Sequence, residues 1–231
     1  VCVGRQWGNG PVHTRNIRGL FAVPGLKVVC PSTPRAARAL LLSAIDDPNP
    51  VVYLEHRWLY KLRGSLGIPE SRQPLDKANI LKRGHDITIV AAGDAVLESL
   101  RAAVLLSTVG IAAEVIDLVS VYPMDIMLVA ASVSKTHKLL AVDTATPAFS
   151  CASEILGKIS DLGLANAKMG MIASQNAACP TAPELARDYY PLSDGIATAA
   201  ARLLGLSHEI CVEHPFEELN LPPTLDIDEL L

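Results

Sequence analysis

Short apolar runs rich in β-branched residues alternate along this chain with longer segments of helical period, and that alternation restricts the fold to the parallel α/β class. Residues 27–30 and 51–55 read as short buried strands, and residues 34–46 between them read as a helix, because Ala37, Leu40, Leu41 and Ala44 recur at helical spacing. Together they form a βαβ unit. From Tyr60 to Arg83 the pattern breaks up: Gly64, Gly67, Pro69 and Pro74 interrupt any regular element, as expected of an interdomain linker. A second α/β unit then opens with a strand at 87–90. A helix follows over 95–106, a strand over 113–118, a helix over 125–133, strands over 138–143 and 168–172, and a closing helix over 195–204.

Composition narrows the function classes. With 231 residues, half of them apolar, the chain can bury one large core or two modest ones. A formal charge of -4 with scattered basic residues provides no one-sided field for a polynucleotide. The most apolar stretches, such as 87–92 and 139–142, fall far short of the ~20 residues a bilayer demands, so no membrane partner is expected. Cys2, Cys30, Cys151, Cys179 and Cys211 are odd in number and widely spaced, which suits reduced thiols in a reducing compartment better than a disulfide framework. Val1 is not an initiator methionine and follows no signal-peptide pattern, an opening expected of a processing site or a truncation. After Arg202 there is no Lys or Arg, while Glu209, Glu213, Glu217, Glu218, Asp226, Asp228 and Glu229 accumulate; this acidic tail is expected to be solvated, the competing reading being a docking segment formed by Leu225, Ile227, Leu230 and Leu231.

Few residues offer chemistry. His13 follows the bend Gly8-Asn9-Gly10-Pro11, where an imidazole can stand at the edge of a site and titrate near neutral pH. The two glycines lack the Lys-Ser/Thr of a phosphate-cradling loop and read as backbone bends. Asp47 and Asn49 sit in Ala44-Ile45-Asp46-Asp47-Pro48-Asn49-Pro50, where oxygen ligands would suit a hard cation, although Asp-x-Asn alone is an ordinary turn. Glu55, His56 and Arg57 read as a charged strand exit toward solvent or a partner. No cysteine has the neighbours of a thiol nucleophile or a zinc site, and no serine elbow is present.

In order and spacing, Gly8-Asn9-Gly10-Pro11-Val12-His13-Thr14, Val23-Pro24-Gly25-Leu26-Lys27-Val28-Val29 and Asp47-Pro48-Asn49-Pro50-Val51-Val52-Tyr53-Leu54-Glu55 resemble the β subunit of the thiamine-diphosphate-dependent 2-oxo acid dehydrogenases, the E1 component, in the transketolase superfamily. Pro31-Ser32-Thr33-Pro34, Glu55-His56-Arg57-Trp58-Leu59-Tyr60, Glu114-Val115-Ile116-Asp117-Leu118, Cys179-Pro180-Thr181 and Tyr189-Tyr190-Pro191 extend the likeness to about Leu204. It implies an α/β chain in four parts: the C-terminal part of a pyrimidine-binding domain over 1–59, a linker over 60–83, a transketolase C-terminal-type parallel-sheet domain over 84–206 and the acidic tail over 207–231. His13 matches the histidine that lies near the coenzyme in this family. Ala44, Ile45, Asp47 and Asn49 fall on positions that hold a structural potassium ion. Several positions depart from the family pattern: Val12, Thr14 and Arg15 beside the histidine, Val119 and Tyr122 in place of common arginines, and Ser150 in place of a common glycine.

The resemblance implies oxidative decarboxylation of a 2-oxo acid by an α2β2 heterotetramer, with the acyl unit passed to a lipoyl-bearing E2 acyltransferase. The glutamate that engages the aminopyrimidine lies upstream of the family's glycine block, which favours truncation. The diphosphate and its Mg2+ are held mainly by the E1 α-type subunit, so tight coenzyme binding by this chain alone is not expected. A split transketolase-like or acyloin-forming synthase subunit and a non-catalytic assembly module are the competing readings. The expected location is the cytoplasm or, alternatively, the mitochondrial matrix.

Overall fold

The computed structural model describes residues 1–5, 8–207, 210 and 221–231. The second expected unit forms a five-stranded sheet in the order β10-β9-β6-β7-β5, made of β5 (Asn79–Lys82), β6 (Ile87–Ala91), β7 (Ala113–Asp117), β9 (Lys138–Asp143) and β10 (Lys168–Ala173). Four strands run parallel and β5 pairs antiparallel to β7 at the edge. Every residue of β6 and β7 is buried, as a parallel sheet covered on both faces requires. Alternation along β6 divides the core. Ile87, Ile89 and Ala91 pack with helices α3 (Asp94–Thr108) and α7 (Ser193–Leu203), while Val90 packs with α4 (Ile126–Thr136) and α5 (Cys151–Ile159). Thr88 shares that second face, and its hydroxyl is matched by Ser132 Oγ and Thr136 Oγ1, each at 2.7 Å.

The N-terminal βαβ unit is also present. β2 (Lys27–Val29) and β3 (Val51–Tyr53) run parallel, joined by α2 (Pro34–Asp46). The helix starts there because Pro34 occupies its first turn and Thr33 Oγ1 accepts the Ala36 amide at 3.0 Å. The third strand of this small sheet comes from far along the chain: β8 (Ser120–Tyr122) leaves the large sheet after β7 and pairs antiparallel with β2. Val119 makes the exit with φ of 57°, a conformation that a β-branched residue adopts only under constraint, and its carbonyl accepts the Cys30 amide at 2.8 Å. Beside this sheet, β1 (Cys2–Val3) pairs parallel with β4 (Glu55–His56).

Three features differ from the sequence reading. The stretch expected as a linker ends in β5, because Ile80 and its neighbours cover the open edge of β7. The single strand expected over 51–55 is two, β3 and β4, separated at the fully buried Leu54. The solvated reading of the tail is overturned for residues 221–231. Arg63 exchanges backbone hydrogen bonds with this segment, Arg63 N donating to Leu225 O and Ile227 N to Arg63 O, both at 2.9 Å. Ile227 is 1% exposed and joins the core that contains Trp58, with Leu225 and Leu230 packed against it. The apolar positions of the tail outweigh its charge because the edge at Trp58 would otherwise face water. Glu209, Cys211, Glu213, Glu217 and Glu218 lie outside the described residues.

Ile227→Ala should therefore cost about 2–5 kcal/mol of stability, read as a lowered urea midpoint; an unchanged midpoint would mean that the segment does not dock.

Candidate functional site

The carboxyl ends of parallel strands are where an α/β sheet exposes backbone groups and loops to a ligand. In this chain β9 ends at Asp143, and the loops beyond β9 and β10 face the segment 11–20 of the N-terminal unit. Between them lies a cleft of about 860 Å³ whose polar wall includes Arg15, Asn16, Thr144, Thr146 and Asn176. Leu20 and Phe149 stand at its mouth, 75% and 98% exposed.

Arg18 fixes the floor. Its guanidinium is buried and donates to Asp143 Oδ1 at 2.8 Å, to the Ala92 carbonyl at 2.9 Å and to Asn16 Oδ1 at 2.8 Å. Burial alone would lower the basicity of Arg18, yet the Asp143 carboxylate beside it raises it, so the cation persists. Asp143 also accepts from Asn16 Nδ2 at 3.1 Å, from the Ala145 amide at 3.0 Å and, at the first residue of α5, from the Cys151 amide at 2.9 Å. That last bond places a carboxylate on a helix N-terminus, where the orphan amides and the dipole favour it. Burial pushes the Cys30 and Cys151 thiols up to about 12, which leaves both as inert apolar side chains.

A second joint holds the other side of the N-terminal unit. Arg5 donates to Glu98 Oε1 at 2.9 Å and lies 3.7 Å above the Trp58 ring, while Glu98 Oε2 accepts the Ser193 amide at 3.0 Å. His56 Nε2 lies 3.1 Å from Asp94 Oδ1 without hydrogen-bond alignment. Burial pushes the imidazole down to about 4, so this is a polar contact between a neutral ring and a carboxylate. Nearby, Asp117 is buried beneath the Ser32 hydroxyl, which donates to it, and desolvation pushes its carboxyl up to about 6.

His13 is the last residue of the four-residue helix α1 (Gly10–His13) and is exposed. Its neighbours Pro11 and Thr14 line the cleft, and His13 stands beside that lining without being part of it. Thr14 Oγ1 donates to the Gly10 carbonyl at 2.6 Å, and the Arg57 guanidinium donates to the carbonyl of His13. Ala44 and Ile45 are in the last turn of α2, where helical carbonyls have no intrahelical partners and the dipole is negative. Free carbonyl oxygens are of the kind that suits a hard cation. The Asp47 carboxylate is engaged otherwise, accepting from Lys27 Nζ and from the amide and side chain of Asn49 at 2.9 and 3.1 Å. The Lys27 bond and the Asn49 amide hold it below the usual carboxylate range. Among the described residues no group of three or more His, Cys, Asp or Glu gathers for a metal. His13 is thus held by Arg57, and the α2 terminus by Lys27 and Asn49. Sequence reasoning missed Arg5, Arg18, Glu98 and Asp143.

Residues 76–196 match the transketolase C-terminal domain family. The chain belongs to that family. The β subunit of acetoin:2,6-dichlorophenolindophenol oxidoreductase from Bacillus subtilis is 38% identical over 196 residues, 84% of this chain and 57% of that protein. The β subunit of the pyruvate dehydrogenase E1 component from the same organism is 43% identical over 167 residues, 70% of this chain and 51% of that protein. This transketolase-family chain therefore spans a little over half the length of such relatives, and their names agree with the resemblance to E1 β subunits. Among solved structures, an inactive β4 tetramer of a split-gene transketolase is similar in fold, with a TM-score of 0.70 at 23% identity over 89% of this chain and 66% of that one.

Removing one side of the buried pair, as in Arg18→Ala, should cost about 3–5 kcal/mol, measurable by denaturant unfolding. Folding favours neutral His56, so its contribution is present above its ordinary 6.5 and is lost as pH falls toward 4. Folding also favours protonated Asp117, whose contribution grows as pH falls from 6 toward 3.8. Asp117→Asn removes the opposing slope, so its melting temperature should fall more steeply than the parent's between pH 6.5 and 4; parallel curves would refute this.

Proposed function

We propose that this chain is the β-type subunit of a thiamine-diphosphate-dependent E1 enzyme, acting with an α-type subunit on a 2-oxo acid or an acyloin. The observation that supports it most is the joint position of His13 and the cleft. The one imidazole that the family resemblance singles out lies between Pro11 and Thr14, which line a large cavity at the carboxyl ends of the sheet, and apolar side chains are exposed around the mouth. A partner subunit covering Leu20 and Phe149 would close that cleft and exclude water from it.

Thiamine diphosphate, when bound, supplies the electron sink for cleaving the bond next to a carbonyl. This chain's residues fit one side of such a site. Asn16, Thr144 and Thr146 offer hydrogen-bonding groups along the wall, and His13 can give or take a proton at the rim. The diphosphate and its Mg2+ would be held mainly by the α-type subunit. A structural K+ would rest on backbone oxygens and polar side chains at Ala44, Ile45, Asp47 and Asn49, with at least one more ligand from upstream of Val1. The partners proposed are the α-type subunit in an α2β2 heterotetramer and a lipoyl-bearing E2 acyltransferase that takes the acyl unit. Among the described residues no helix is long and apolar enough to cross a membrane; the location proposed is the cytoplasm or the mitochondrial matrix.

The relatives leave both substrates in play: the acetoin oxidoreductase subunit matches more of this chain, 84% against 70%, and the pyruvate dehydrogenase subunit is more identical, 43% against 38%. The deciding experiment expresses the chain from its full reading frame with an α-type subunit. It measures thiamine-diphosphate-dependent release of carbon dioxide from 2-oxo acids and dye-linked oxidation of acetoin. Activity with either substrate should need both subunits and fall about 10²- to 10⁴-fold in His13→Ala. A stable complex inactive on both substrates would leave the aldehyde-accepting synthase or the non-catalytic assembly module.

A further inference from the structure

We propose that Arg57 is a positioning residue for His13: its guanidinium clamps the carbonyl of His13 and thereby sets where the imidazole stands at the cleft rim. The inference rests on the reading of His13 given above. Arg57 opens a 3₁₀ turn directly after β4, and both of its neighbours are locked, His56 being buried against Asp94 and Trp58 being fully buried under Arg5. An arginine between two such residues starts from a rigid backbone. Its side chain reaches 44 positions back to the last residue of α1.

The recipient is a four-residue helix, too short to be stable by itself. A carbonyl at a helix C-terminus has no intrahelical partner, and a cation there is favoured by both hydrogen bonding and the dipole. The rest of the segment is fixed on either side: Thr14 Oγ1 closes on the Gly10 carbonyl at 2.6 Å, and Asn16 is bound to Arg18 and Asp143. His13 lies between these anchors, and the contact from Arg57 completes the frame. Arg57 bonds the backbone carbonyl of His13 and not its ring, so it acts through the position of His13.

Hydrogen exchange of the full chain tests the clamp without any turnover. In Arg57→Ala the amides of residues 10–17 should exchange about tenfold faster while those of α3 and β6 stay unchanged, and Arg57→Lys should recover part of the protection. Unchanged exchange at 10–17 would overturn the proposal. In the reconstituted enzyme Arg57→Ala should lower kcat on the order of tenfold to a hundredfold with little change in KM. The double variant with His13→Ala should be no slower than His13→Ala alone. An additive further loss would also overturn it, since Arg57 would then act independently of His13. If the unaltered pair shows no thiamine-dependent turnover, the reading of the site fails, and the exchange measurement still decides whether Arg57 holds the segment.

Discussion

The buried pair of Arg18 and Asp143 is the constraint on which the site depends, because it ties the segment that lines the cleft to the carboxyl end of β9. The pair is 2.8 Å apart across 125 residues of sequence, and each partner's remaining hydrogen-bonding capacity is used by Asn16, Ala92, Ala145 or Cys151. A buried ion pair adds little net stability over an apolar substitute, but leaving either charge alone in the interior is costly. The arrangement therefore selects one docking geometry. Any slip of segment 11–20 along the carboxyl ends of the strands would strand a guanidinium or a carboxylate away from water.

The fold was legible where one physical signal dominates. Ile87-Thr88-Ile89-Val90 and the helix at 34–46 declare themselves through apolar period, and both appear at the expected positions. The departures arise where a local pattern yields to a distant partner. Ser120–Tyr122 is too short to read as a strand, and it becomes one only because β2 offers an edge 91 residues upstream, with Val29 opposite Ser120. The tail misled for a related reason: its charges dominate a local count, whereas Ile227 has a specific apolar site beneath Trp58 that no local window contains.

The site was legible to a smaller extent. His13 stands out in sequence because a bend and a histidine are adjacent, and the structure does put it beside a cavity. Asp47 reads locally as either a cation ligand or a turn residue, and its carboxylate is in fact bonded to Lys27 and Asn49. Arg5 and Arg18 carried no signal at all. An isolated arginine reads as surface, and only the distant Glu98 and Asp143 make it an interior residue.

The two joints hold the frame by different physics. Arg18 is satisfied by directional hydrogen bonds on most sides, whereas Arg5 bonds Glu98 through one nitrogen and otherwise lies between the rings of Trp58 and Tyr190, 3.7 and 5.1 Å from their centroids. Ring faces attract a cation without dictating its orientation, so the Arg5 joint tolerates small rotations that the Arg18 joint does not. Trp58 also shares its buried cluster with Ile227, with Leu62 of the linker packed against that cluster, so the N-terminal segment, the linker and the docked tail meet in one core. The frame is thus pivoted at Trp58 and locked at Asp143. Segment 11–17 hangs from the locked side, so the element that carries His13 inherits the precision of the Arg18 network. A group that must meet a reacting atom within a fraction of an ångström needs that kind of support, supplied by side chains that never touch the reaction.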